Sequence, residues 1–240
     1  MKKKIIAAAL IVAMLAITAV GGSLAWFTAT DEAVNTFTVG GVEIVQNEKQ
    51  TADNGSLEDF EQDQYLYPAV IGTATAAEDY ENYIEKQVTV TSTDVTPAYV
   101  RTFIAVPTAL ADYLNLDIDG TGWTKDNVTY APVTVSGVSF TVVSYTYGTA
   151  LNKDATTNLL LKGVWLDEEI DLQKNAAGVK QFCTKNANGS WNFIDYDVTS
   201  KVKVLVASQA CQSVGFSSAS AAIDAAFGAG DAGVPDFTLQ

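Results

Sequence analysis

The chain has 240 residues, 48% of them hydrophobic, with 14 basic and 28 acidic side chains, no histidine and two cysteines. That length allows one large packed domain or two small ones, and plentiful apolar and aromatic residues with scarce proline exclude a disordered or collagen-like chain. A formal charge of -14 argues against a nucleic-acid surface, which needs clustered Lys and Arg. Without histidine there is no Ser-His-Asp or Cys-His relay, no His-ligated zinc and no H-E-x-x-H site.

Residues 1–25 read as a secretion signal. Lys2, Lys3 and Lys4 form a basic head, Ile5 to Val20 an apolar run, and Gly21-Gly22-Ser23-Leu24-Ala25 a small-residue end. Ser23 and Ala25 suit the -3 and -1 pockets of a signal peptidase, the partner expected during export, and place the cut between Ala25 and Trp26. The alternative is an uncleaved anchor, so any membrane contact is expected through the precursor alone. Residues 26–240 keep 11 of the 14 basic groups and all 28 acidic ones, a formal charge of -17. The C-terminus has neither an apolar tail nor an LPxTG-like motif, and the expected location is extracellular, in a matrix or at the cell surface.

Further along the chain β signals dominate. Alternation predicts strands over Gln87 to Thr93, Ala98 to Val106, Leu159 to Leu166 and Lys201 to Ala207. Val133 to Tyr147 holds two more, with Gly137 as a turn or bulge. Asn47 to Gln64 is polar and acidic, and is expected to be a mobile loop. Short helices are expected after Pro107 and between the serines at 217–218 and Gly228. The fold class is therefore mainly β, an antiparallel jelly roll or β-sandwich with one or two short helices.

Three stretches carry a family likeness. The first is Gly21 to Thr30, followed by Asn35-Thr-Phe-Thr-Val-Gly40 and Val42-Glu-Ile-Val45; the second is Lys86-Gln-Val-Thr-Val-Thr-Ser-Thr with Ala98-Tyr-Val-Arg101; the third is Val214-Gly-Phe216 with the alanine-rich helix. Together they resemble the TasA/camelysin family of exported bacterial proteins, whose signal peptides look like substrates of a SipW-type peptidase. Ser92-Thr93 departs from the Asn-containing turn entry usual there, and the likeness hardly touches the middle of the chain.

The resemblance implies a jelly-roll subunit that polymerises head to tail with copies of itself into biofilm-matrix fibres by donor-strand complementation. Trp26, Phe27, Thr28, Ala29 and Thr30 would be the donor strand, Asp31 to Asn35 its hinge, and residues 36–240 a single domain. The residues permit this layout. Odd positions from Phe27 to Val39 are the more apolar on both sides of a polar interruption, as strand addition requires. The same alternation also fits a first strand paired within its own chain.

Other features point to weaker chemistry. Asp117-Ile-Asp-Gly-Thr-Gly122 has D-x-D-G character, and calcium there is the one cofactor considered; it lacks the distal Glu of an EF-hand, and an ordinary Asp/Gly turn explains it as well. No catalytic or cofactor-binding residue is assigned, and the chain is read as a non-enzyme. Cys183 and Cys211 are expected either to form a disulfide in an exported protein or to be two buried free thiols. Trp123, Trp165 and Trp191 are read as core or interface anchors, with a carbohydrate platform as the sharper alternative. The competing functions are a monomeric secreted module that binds a polymer or host ligand and, more distantly, a carboxylate hydrolase.

Overall fold

Side-chain alternation builds the sheets. Along Ile84–Ser92 every second residue is buried and the intervening ones are half-buried, the mark of a strand with one face on a core. A computed structural model of the chain describes residues 28–32, 35–39, 41–61, 64, 66, 83–196 and 202–237. The signal segment, Ala25, Trp26 and Phe27 lie outside the described residues.

In chain order the strands are β1 (Thr28–Glu32), β2 (Asn35–Val39), β3 (Ile44–Thr51), β4 (Leu57–Asp59), β5 (Ile84–Ser92), β6 (Ala98–Pro107), β7 (Leu114–Ile118) and β8 (Trp123–Lys125). They continue with β9 (Val133–Val135), β10 (Val138–Tyr147), β11 (Leu161–Leu166), β12 (Ile170–Lys174), β13 (Lys180–Lys185), β14 (Trp191–Phe193) and β15 (Leu205–Gln212), and the helix α1 is Ala219–Phe227. One seven-stranded sheet runs β2-β1-β15-β6-β10-β8, with β9 also paired to β10. A five-stranded sheet runs β4-β3-β5-β11-β7, and β12-β13-β14 form a smaller third sheet. All the strand pairs are antiparallel.

The two large sheets face each other across one core. Ile44, Val88, Val90 and Leu161 from the five-stranded sheet pack in a single cluster with Val100, Ile104, Val206 and Ala210 from the other. This is a mainly β, antiparallel sandwich with one α-helix among the described residues, the class expected from the strand patterning. The hairpin at Gly137 also matches, because Ser136 and Gly137 both have positive φ (49° and 83°) and join β9 to β10 in a two-residue turn. Ser218 caps α1 by accepting from the Ala221 N–H, and Gly228 ends it. The helix expected after Pro107 is a single 3-10 turn, Thr108–Leu110.

Two expectations need correction. Asn47 to Gln64 is not a loop throughout: β3 and β4 pair across it, with Lys49 bound to Asp59 at 2.6 Å and Gln50 to Glu58 at 3.0 Å. Its turn holds Asn54-Gly55, with Gly55 at φ 82°, a hairpin signal concealed by the polarity of the flanking strands. The strand expected over Lys201 to Ala207 instead begins at Leu205 and runs on to Gln212, through residues whose burial on both faces hides the alternation.

The outer face of the seven-stranded sheet is covered too. Ala222 and Ile223 of α1 sit on Cys211, while Tyr130, Phe140 and Phe237 enclose Phe103 and Ala207. Between these patches Arg101 is 5% exposed. Its guanidinium lies 3.0 Å from Asp126 and 2.7 Å from Asp224 of α1, and Nε donates to Thr146 Oγ1. Asp126 accepts in turn from Ser144 at 2.5 Å and from Thr146 at 2.9 Å. A buried charge whose partner is removed typically costs about 3–5 kcal/mol, whereas a half-exposed pair contributes about 1 kcal/mol or less. Asp126→Ala is therefore expected to lower stability in urea unfolding by about 3–5 kcal/mol. Asp224→Ala, on a side chain 40% exposed, should cost no more than about 1 kcal/mol. Equal losses would contradict this ranking.

Candidate functional site

β15 is paired along both edges. On one side all eight of its residues match β6, from Leu205 opposite Ala105 to Gln212 opposite Ala98. On the other, β1 lies antiparallel with Thr28 opposite Cys211, Ala29 opposite Ala210, Thr30 opposite Gln209, Asp31 opposite Ser208 and Glu32 opposite Ala207. The expected donor residues Thr28, Ala29 and Thr30 are thus a strand, and in this structure that strand is seated in its own chain. The segment expected as a hinge is mostly strand as well, since β1 runs to Glu32 and β2 starts at Asn35.

The register also changes the expected facing pattern. Glu32 pairs with Asn35, so each β1–β2 pair joins an odd to an even position. Ala29 and Asp31 therefore align with Thr38 and Thr36, while Phe37 and Val39 align with Thr30 and Thr28. The odd-numbered stripe read from the sequence does not continue through the hairpin. Among the described strands β2 pairs with β1 alone, and Gly41, at φ 83°, lies between this hairpin and β3 in the opposite sheet.

Beneath the seat, the sandwich interior is polar. Ser208 donates to Gln46 Oε1 at 2.7 Å and shares a 2.9 Å hydrogen bond with Thr102, while Gln46 Nε2 donates to the Val206 carbonyl at 3.2 Å and to Glu48 at 3.1 Å. Glu48 forms an ion pair with Lys86, both nearly buried, and the Lys86 ammonium stands 4.2 Å from the Phe60 ring centre. This chain of partners connects β15 and β6 to β3 and β5. On the opposite face of β15, the Gln209 side-chain oxygen is buried without a hydrogen-bond partner among the described residues, in register between Arg101 and Thr30.

Cys183 and Cys211 are brought into different sheets and are both free and buried. The disulfide is not formed, and the free-thiol alternative holds. Cys211 packs under α1, and burial pushes its pKa up to about 12 despite the nearby Arg101 charge. The Cys183 thiol donates to the Asp171 carbonyl at 3.6 Å; burial and then the Asp171 charge raise its pKa.

The Asp117 to Gly122 stretch is engaged within the protein. Asp117 accepts from the Tyr83 hydroxyl at 3.1 Å, and Asp119 accepts from the Thr121 N–H and lies 3.9 Å from Lys162. No group of three or more potential metal ligands occurs among the described residues. Of the tryptophans, Trp123 is a core residue donating to the Asn158 carbonyl, Trp165 stands 6.2 Å from Tyr83, and Trp191 is 37% exposed.

No protein-family model, curated protein or solved structure matches the chain.

Both thiols should resist Ellman's reagent in the native protein and titrate as two per chain after unfolding in urea. The raised folded pKa of Cys211 favours the native state below the unfolded thiol pKa, and that advantage is lost as pH rises from about 9 toward about 12. Cys211→Ala should accordingly flatten part of the alkaline fall in stability. Absence of free thiol in the unfolded chain would contradict the assignment.

Proposed function

We propose that the protein is a secreted structural subunit that assembles with copies of itself into extracellular fibres by passing its N-terminal strand onto β15 of a neighbour. The observation carrying this reading is how β1 is held. Its register sets Ala29 and Asp31, one small and one charged, opposite Ala210 and Ser208 of β15, on whose inner face Ser208 and Ala210 lie. The described attachment of β1 to β15 is a ladder of five paired residues. Attachment then rests chiefly on main-chain pairing, which an identical strand from another chain supplies equally well.

Topology refines which part moves. Because β2 has β1 as its sheet partner, removing β1 alone would strand β2, and the exchanging unit is the hairpin 28–39, turning about Gly41. Cis and trans seating make the same bonds, so concentration and hinge strain decide between them. A transfer from each copy to the next does not close on itself and yields a filament. The jelly-roll subunit, secretion and the matrix setting are what the family resemblance adds, with a monomeric binding module as the competing reading. No enzymatic role or cofactor is proposed.

Ala29→Cys with Ala210→Cys, in a chain also carrying Cys183→Ala and Cys211→Ala, tests the exchange. Oxidised after concentration, it should give a ladder of covalent multimers on a non-reducing gel; oxidised when dilute, it should give a cross-linked monomer. A monomer band under both conditions would favour the binding module.

A further inference from the structure

The solvent side of β5 holds a groove of about 460 Å³ lined by Tyr83, Glu85, Gln87, Leu159 and Lys162. Its volume falls within the usual range of about 300–1,000 Å³ for small-molecule sites. Tyr83 is fixed in place there. Its hydroxyl donates to Asp117, its ring stands 6.2 Å from that of Trp165, and it lies against Gly163, where a Cβ would come within 2.3 Å of the ring. Gly163 sits at a register shift of β11 against both neighbouring strands, so the irregularity and the missing side chain together make room for the tyrosine.

Around these aromatics the rim carries acceptors and donors. Glu85 accepts from Thr51 Oγ1 at 2.7 Å and from Gln87; burial raises its pKa, but these hydrogen bonds outweigh burial and hold the carboxyl below its ordinary value. Gln87 contributes an amide and Lys162 an ammonium. A sugar ring has a matching character, with an apolar C–H face bordered by hydroxyls that both donate and accept. A peptide added as a strand is a poorer fit, because β5 is flanked by β3 and β11 and has no free edge. An anionic polymer would meet Glu85, Asp117 and Asp119 on a chain whose residues 26–240 carry -17.

We infer that this groove on the outer face of the five-stranded sheet binds a neutral oligosaccharide, with Leu159 and Tyr83 lining the wall for its apolar face and Glu85, Gln87 and Lys162 as partners for its hydroxyls. The groove is on the five-stranded sheet, whereas β15 belongs to the seven-stranded one, and it requires no strand exchange.

Isothermal titration of dilute, unassembled protein 26–240 with cellohexaose, chitohexaose and laminarihexaose tests the inference, with polyglutamate as the anionic control. At least one neutral hexasaccharide should bind. Tyr83→Ala should weaken that binding at least about tenfold, equal to about 1.4 kcal/mol, and Gln87→Ala should weaken it severalfold at unchanged thermal stability. Because Tyr83 packs on β11, the solvent-side Gln87→Ala variant keeps the test decisive should Tyr83→Ala misfold. Binding of none of the three sugars, binding unaffected by Gln87→Ala, or binding of polyglutamate in preference would overturn the inference. Fibre formation is not part of this measurement, so its failure leaves the assembly reading to the cross-linking result.

Discussion

β15 needs a partner on its second edge, and the architecture around the N-terminus follows from that need. Its residues from Val206 to Cys211 are buried, so main-chain groups left open on that side could not all turn to water. Each buried group without a partner costs about 1–3 kcal/mol. β6 satisfies one edge through a central, heavily packed pairing. The other edge is filled by the five-residue strand β1, whose second sheet partner among the described residues is β2. A strand is needed on that edge, and on the proposed reading the main-chain ladder does not distinguish which copy supplies it. That equivalence is what makes exchange between chains physically reasonable.

The polar groups on the two faces of β15 and β6 have different duties. Inside the sandwich, Ser208, Thr102, Gln46, Glu48 and Lys86 form a connected series across both sheets, with the Lys86–Glu48 pair buried. Replacing such a series by hydrocarbon could leave stability unchanged or improved. Its geometric effect is to favour one alignment of the sheets, because a slip would orphan several buried groups together. Outside, Arg101 joins the β8–β10 region to α1 and closes the sheet against the C-terminal segment. Gln209, beside Arg101 in register, is the unsatisfied member of this neighbourhood among the described residues, and it lies in the row shared with Thr30 of β1.

Much of this could be read from residues, and the exceptions have causes. Alternation marked β5, Gly137 marked the β9–β10 hairpin, and Ser218 with Gly228 bounded α1. β3 escaped because Gln46 and Glu48 on its inner face and Lys49 on its outer face are all polar, so no apolar stripe remains there, and the three residues of β4 are all exposed. Strands of three residues such as β8 and β14 are too short for any period to show. The groove was equally hidden, since Tyr83, Glu85, Gln87 and Lys162 converge through β5–β11 pairing and a bulge that no local pattern announces. Pairing parity was also out of reach: Glu32 pairs with Asn35, an odd-to-even register that alternation along one strand does not encode. Likewise the cysteines gave no hint of separate sheets, as spacing along the chain does not report distance in space.

On the proposed reading the β1–β2 pair is held loosely enough to leave its own β15, and amide hydrogen exchange reports such opening residue by residue. In dilute protein 26–240 the account predicts that amides of residues 28–39 exchange orders of magnitude faster than those of β6, and that they become strongly protected once the protein is concentrated into assemblies. Hairpin amides as slow as those of β6 in the dilute chain, and unchanged on concentration, would show a permanently self-completed monomer and contradict the account.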